Sequence, residues 1–161
     1  VRGFNNVEFR QGDIEKMPVS ANTADVMVSN CVLNLVPNKD AVIKEIYRVL
    51  KPGGHFSISD IVLEGQLPKE IREAAEMYAG CVAGAIQKNV YLELIESNGF
   101  KNISIQKSKP VTLPDDILSQ YLSAEQIGQF RASGTGISSI TVYAEKPTEE
   151  KKACCGPDCC N

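Results

Sequence analysis

Two strand-like segments that flank a helix-like segment constrain the fold of this chain most strongly. Residues 55–62 (HFSISDIV) alternate apolar and polar side chains, and residues 24–30 (ADVMVSN) are more continuously apolar. Between them, capping residues at 37–40 precede an apolar stripe with helical spacing, and the sequence KPGG at 51–54 ends that helix. A strand, a helix and a second strand in this order predict a parallel crossover unit, with residues 24–30 buried on both faces.

The rest of the chain continues the alternation of strands and helices, which predicts an α/β fold. With 161 residues, of which 43% are hydrophobic and 23% charged, the chain has the composition of one ordinary domain. We assign residues 1–146 to this domain and residues 147–161 to a charged, flexible, cysteine-rich tail. Further strands are predicted at residues 7–10, near 103–105 and at 137–145, and further helices at residues 69–86, at 90–98 and after Leu113-Pro114.

Charge and hydropathy argue against two classes of partner. The formal net charge of −3 and the isoelectric point near 5.3 provide no basic surface for nucleic acid. No apolar run approaches the roughly 20 residues that span a bilayer, and the N-terminus lacks the pattern of a secretory signal. We therefore expect a cytoplasmic protein. Because the chain opens on Val1 in a loop-like stretch, we also expect it to be a fragment.

Polar residues follow two of the predicted strands, on the side where open α/β sheets bind ligands. In the first loop, Asp13 can accept a hydrogen bond from an adenine amino group, Ile14 offers an apolar surface to the ring, and Glu15 follows. In the second loop, Asn30 and Asn34 are suited to orient a cofactor or a substrate. Asp and Asn are also common turn and capping residues, which is the alternative interpretation of both loops.

The order and spacing of several motifs resemble the class I S-adenosylmethionine-dependent methyltransferases. The motifs are GDIEKMP at 12–18, the strand at 24–30, and LKPGG followed by a strand ending in SD at 50–60. SNCVLNLVPNK at 29–39 and EMYAGCVAGA at 76–85 narrow the similarity to arsenite methyltransferases, over nearly the whole chain. The resemblance implies a partial Rossmann-like sheet and S-adenosylmethionine as cofactor. It also implies arsenite or its thiol conjugates as substrate, a thiol reductant, and a role in arsenic detoxification.

By this resemblance, Cys81 is a catalytic residue whose thiol binds arsenic. Trivalent arsenic is a soft centre that prefers two or three thiolates, so a single thiol is insufficient. Gly80 and Gly84 leave little bulk beside Cys81, which would admit either a ligand or a packed backbone. We interpret Cys31 as a small packed residue at a strand end and His55 as a surface or packing residue, and without the resemblance Cys81 would also be interpreted as a core cysteine.

Four further cysteines lie in the tail, and their spacing is not that of a structural zinc site. Four thiols on a flexible tether can bind a thiophilic ion and raise its concentration near the catalytic thiols. Similar vicinal-cysteine tails occur on arsenite methyltransferases. These candidate arsenic ligands are Cys154, Cys155, Cys159 and Cys160.

The chain departs from the family pattern in several respects. It lacks the glycine-rich loop that binds the methionine part of the cofactor, the acidic residue for the ribose and the more N-terminal family cysteines. No cysteine occupies residues 126–133, where a further family thiol is expected. The class I strand order, 3-2-1-4-5-7-6, would also leave the strand at 7–10 without its neighbours. Two alternatives stay open: a carbon methyltransferase of the ubiquinone and menaquinone type, and a non-catalytic thiol-based fragment that binds metalloids.

Overall fold

The computed structural model describes residues 3–78 and 80–148. Four strands, five α-helices and two short 3-10 turns make up this part of the chain. The strands are β1 (Ala24–Asn30), β2 (Leu50–Glu64), β3 (Lys101–Pro110) and β4 (Gly136–Glu145). The helices are α1 (Lys39–Val49), α2 (Lys69–Tyr78), α3 (Lys88–Ser97), α4 (Asp115–Leu118) and α5 (Ala124–Ala132). The 3-10 turns are Leu33–Leu35 and Gly80–Val82.

The four strands form one mixed sheet in the order β1-β2-β4-β3. β1 pairs with β2 in parallel, whereas β4 pairs antiparallel with both β2 and β3. This order and these directions correspond to the last four positions of the class I order predicted from the sequence. The predicted parallel crossover, strand to α1 to strand, is confirmed.

Local chemistry fixes both ends of α1. At the start, Asn38 Oδ1 accepts a hydrogen bond from the Ala41 amide at 3.0 Å, which is the predicted N-cap. At the end, the Lys146 ammonium donates to the carbonyl oxygens of Tyr47 and Leu50, both at 2.8 Å. Lys146 directly follows β4, so these bonds tie the end of α1 to the last strand of the sheet.

Alternation along β2 divides the interior into two cores, one on each face of the sheet. Phe56, Ile58 and Val62 pack with α1 and α3 in the first core. Ile61 and Leu63 point to the opposite face and pack with α2 and the region around α4. The second half of β2 therefore lies between two packed layers, and the end of β1 pairs with Ser59 in this half.

Several predicted elements differ from the structure. Residues 7–10 do not form a strand: they are exposed, with Phe9 95% accessible, because no described strand pairs with them. The prediction that β1 is buried on both faces is wrong, since Val28 is 74% exposed on this edge strand. The helix predicted over 69–86 ends at Tyr78 and gives way to the 3-10 turn that contains Cys81. α5 was not predicted.

The length of the described helices bears on membrane insertion. Among these residues, no helix combines the length and the apolar character needed to cross a bilayer.

Candidate substrate-binding site

Two free thiols, those of Cys31 and Cys81, meet at the carboxyl end of β1. Cys31 directly follows the strand, and its amide donates to the Ser59 carbonyl oxygen of β2 at 2.8 Å. Its φ of +55° turns the chain away from the sheet. Cys81 lies in the Gly80–Val82 turn, near enough to Cys31 to contribute to the raised pKa of its thiol. Both side chains are partly accessible, so a ligand can reach the pair.

Close backbone packing brings the two cysteines together. A Cβ atom placed on Gly84 would lie only 1.8 Å from the carbonyl oxygen of Asn34, so the turn after Cys81 rests directly on the turn after Cys31. A Cβ atom on Gly80 would meet nothing within 4 Å. Gly84 therefore admits a packed backbone, whereas Gly80 leaves open space on the other side of Cys81.

The surroundings of Cys31 raise the pKa of its thiol. Burial is the largest cause, followed by the electrostatic interactions with Cys81 and Asp60. The Cys31 thiol is therefore protonated at neutral pH. A ligand that removes the thiol proton in the binding step itself is favoured over one that requires a thiolate beforehand.

Asp60, the last residue of the SD motif, is a buried carboxyl group beside this pair. Its side chain is 1% exposed, and burial raises its pKa to about 6. The Tyr91 hydroxyl donates to Oδ2 at 3.1 Å, and that hydrogen bond, the charge of Lys39 and the nearby backbone N–H of Asn34 oppose the rise. Among residues 3–78 and 80–148, no donor reaches Oδ1 within hydrogen-bonding distance. A nearly inaccessible acceptor thus has no protein partner in the described chain.

The residues predicted for the cofactor lie in two places. Asp13 and Ile14 line a shallow cavity of about 240 Å³, and Asp13 Oδ1 accepts a hydrogen bond from the Glu15 amide at 2.9 Å. Asn30 is exposed at the end of β1. Asn34 is buried, and its Nδ2 donates to the Ile61 carbonyl at 2.7 Å, so this side chain also connects the turn to β2. Their role in cofactor binding stays a prediction.

The other candidate ligands give no metal site within the described chain. The tail cysteines, Cys154, Cys155, Cys159 and Cys160, lie outside the described residues. Within them, no group of three or more His, Cys, Asp or Glu side chains is placed to hold a metal ion. His55 packs on the ring of Tyr143, with 5.0 Å between ring centroids, in agreement with its predicted packing role.

Sequence reasoning missed Cys31 and Asp60 as site residues. Cys31 directly follows Asn30, so the sheet-edge argument that selected the asparagine applies equally to the thiol. Asp60 was visible as an acidic residue at an inward position of an alternating strand, close to its carboxyl end. Nothing in the local sequence indicates that Cys81, 50 positions after Cys31, would meet it.

Known proteins share this fold and much of this sequence. Residues 1–108 match a family model described as a methyltransferase domain. The chain belongs to the methyltransferase-domain family. An arsenite methyltransferase of Halobacterium salinarum is 33% identical over 145 residues, which cover 90% of this chain and 35% of that protein. The arsenite methyltransferase of Homo sapiens is 40% identical over 121 residues, which cover 73% of this chain and 32% of that protein.

A solved structure extends the similarity to three dimensions. The crystal structure of CrArsM, an arsenic(III) S-adenosylmethionine methyltransferase from Chlamydomonas reinhardtii, matches with a TM-score of 0.66 at 29% identity. The match covers 87% of this chain and 44% of that one. The predicted class I methyltransferase sheet and the predicted resemblance are confirmed. The chain spans about a third of the length of the curated relatives described above.

Proposed function

We propose that this methyltransferase domain takes part in methyl transfer from S-adenosylmethionine to trivalent arsenic, with Cys31 and Cys81 holding the arsenic. The observation that carries the proposal is the meeting of the two thiols at the carboxyl end of β1, where open α/β sheets bind their ligands. Similarity to proteins named arsenite methyltransferases supports the same substrate. A carbon methyltransferase gives the thiol pair no role.

The chemistry of the thiol pair favours arsenite over a divalent metal ion. When arsenous acid binds, each thiol sulfur forms a bond to arsenic and each thiol proton leaves with a hydroxide as water. The raised pKa of Cys31 therefore does not oppose binding, because no free thiolate is required. A divalent cation must instead displace the Cys31 proton into solution, which the raised pKa of that thiol disfavours.

The cofactor side of the site is incomplete in this chain. S-adenosylmethionine would supply an electrophilic methyl group bound to a sulfonium sulfur. Asp13 and Ile14 suit its adenine, since a carboxylate lies beside an apolar side chain along one cavity. The glycine-rich loop for the methionine part is not among the 161 residues. Arsenic binding is thus assigned to this chain, and methyl transfer to a protein that contains the loop as well.

In the methyl-transfer step, the protein's task is to fix the arsenic with its lone pair directed at the methyl carbon. Two sulfur bonds orient the arsenic pyramid relative to β1 and the Gly80–Val82 turn. A thiol reductant would restore trivalent arsenic after each transfer. Acting in the cytoplasm, the protein would serve arsenic detoxification.

Arsenite binding by the chain tests the proposal. Because the tail thiols are competing ligands, the background variant carries serine in place of all four tail cysteines. We expect this background to bind one arsenite per chain in calorimetry. Cys31→Ser and Cys81→Ser should each weaken binding by about 100-fold or more, because a single thiol loses the effective concentration of the second. Gly80→Ala, beside Cys81 but without contacts, is the matched control. Unchanged binding in both serine variants would refute the proposal.

A further inference from the structure

The buried carboxyl group of Asp60 lies next to the thiol pair. Ser59, the residue before it, accepts the hydrogen bond from the Cys31 amide, so Cys31, at the end of β1, lies beside the part of β2 that contains Asp60. The charge of Asp60 acts directly on the Cys31 thiol. This charge effect and the backbone hydrogen bond to Ser59 place Asp60 in the neighbourhood of the Cys31 side chain.

One oxygen of this carboxyl group lacks a partner. Oδ2 accepts the hydrogen bond from Tyr91, but no donor in the described part of the chain reaches Oδ1. Buried carboxylate oxygens are normally hydrogen-bonded, because an unsatisfied charged acceptor is unfavourable. The Lys39 ammonium, whose charge lowers the pKa of Asp60, donates its hydrogen bond to the Val36 carbonyl oxygen at 3.3 Å. A ligand at the thiol pair that brought a donor to Oδ1 would satisfy this buried oxygen.

The number of bonds that trivalent arsenic forms identifies such a donor. Trivalent arsenic forms three bonds in a pyramid, and Cys31 and Cys81 are the two cysteines of the described residues. Arsenous acid that exchanges two hydroxides for two sulfurs keeps its third hydroxyl, and that hydroxyl carries a proton. We propose that Asp60 Oδ1 accepts a hydrogen bond from the hydroxyl that remains on arsenic. The inference rests on the proposed function and makes Asp60 a determinant of substrate specificity.

Asp60 consequently distinguishes arsenicals by their third substituent. Arsenite bound to two sulfurs presents a hydroxyl group to the carboxylate. Methylarsonous acid, CH₃As(OH)₂, loses both hydroxyls to the same two sulfurs and presents a methyl group of similar size, which cannot donate. The site should therefore favour arsenite, and the preference should depend on the Asp60 carboxylate.

The test compares these two probes on the same variants. In the background without tail cysteines, Asp60→Asn should weaken arsenite binding by about tenfold, as expected for a lost hydrogen bond to a charged group. Binding of methylarsonous acid should change by less than about twofold. Tyr91→Phe leaves the carboxylate in place and should preserve the preference between the probes. Circular dichroism reports whether each variant folds, and the ratio of the two affinities is independent of the folded fraction.

The control variants separate this inference from the proposed function. Cys31→Ser should lose both probes, and retention of both in that variant would overturn the thiol site itself. Given a working thiol site, an equal loss of both probes in Asp60→Asn, or no loss of either, would overturn the role of Asp60. Asp60→Ala is the second variant if Asp60→Asn does not fold, and an equal loss of both probes there would assign Asp60 a purely structural role.

Discussion

Replacing Asp60 with Asn should stabilise the fold at neutral pH and leave it little changed in acid. Burial raises the pKa of Asp60 from 3.8 to about 6. Each pKa unit corresponds to about 1.4 kcal/mol, so the ionised carboxylate destabilises the folded chain by about 3 kcal/mol. Asparagine preserves the shape and can still accept the Tyr91 hydrogen bond, and it introduces no charge.

The direction of the pH dependence follows from where the proton is bound. Because the pKa of Asp60 is higher in the folded chain, the folded state holds the proton more tightly than the unfolded state does. The favourable contribution is fully present below about pH 4 and is lost as the pH rises through about 6. The advantage of Asp60→Asn over the natural chain should therefore grow from about 1 kcal/mol at pH 4.5 to about 3 kcal/mol at pH 7.5.

Urea unfolding followed by far-ultraviolet circular dichroism measures this difference at a series of pH values. The chain contains no tryptophan, so the backbone signal is the suitable probe. Other carboxylates titrate in both proteins, and taking the difference between them removes that contribution. Asp116→Asn, at an exposed position, should change stability by less than about 0.5 kcal/mol. An advantage of Asp60→Asn that stays constant across the pH range would refute the reasoning.

Three further perturbations have defined outcomes. Gly84→Ala should destabilise the fold by more than about 2 kcal/mol and weaken arsenite binding, because its Cβ atom would overlap the Asn34 carbonyl. Gly80→Ala, which meets no atom, should change the free energy of urea unfolding by less than about 0.5 kcal/mol. Lys146→Ala should lower the unfolding free energy by about 3 kcal/mol, because it leaves the carbonyls of Tyr47 and Leu50 without this donor; a loss under 1 kcal/mol would contradict this. Lys51→Ala breaks only an exposed ion pair and should shift the urea midpoint negligibly.

The sequence predicted well those features that depend on neighbouring residues. The N-cap at Asn38, the end of α1 before the KPGG segment and the parallel pairing of β1 with β2 all follow from local patterns. The exposure of β1 and the unpaired state of residues 7–10 depend instead on which strands lie beside them. A periodic pattern reports the preference of a segment, whereas hydrogen-bonded pairing also requires a partner.

The candidate site shows the same division. The position of Asn30 and Cys31 at the ligand edge of the sheet follows from the crossover, which is a local property. The contact of Cys31 with Cys81 depends on the break of the predicted helix after α2 and on the packing of Gly84 against Asn34. Helical spacing continues through that break in the sequence, so periodicity could not reveal it.

The stability and binding predictions for Asp60 have opposite signs in the same variant, and this separates a functional carboxylate from a structural one. If Asp60 served only to anchor Tyr91, asparagine would accept the same hydrogen bond and improve stability without affecting any ligand. A loss of about 3 kcal/mol is a large fraction of the stability of an ordinary domain. The carboxylate offers a negatively charged acceptor beside Cys31, which asparagine lacks. A variant that is more stable at pH 7.5, binds arsenite less tightly and binds methylarsonous acid as before would show that the charge acts on the ligand's hydroxyl.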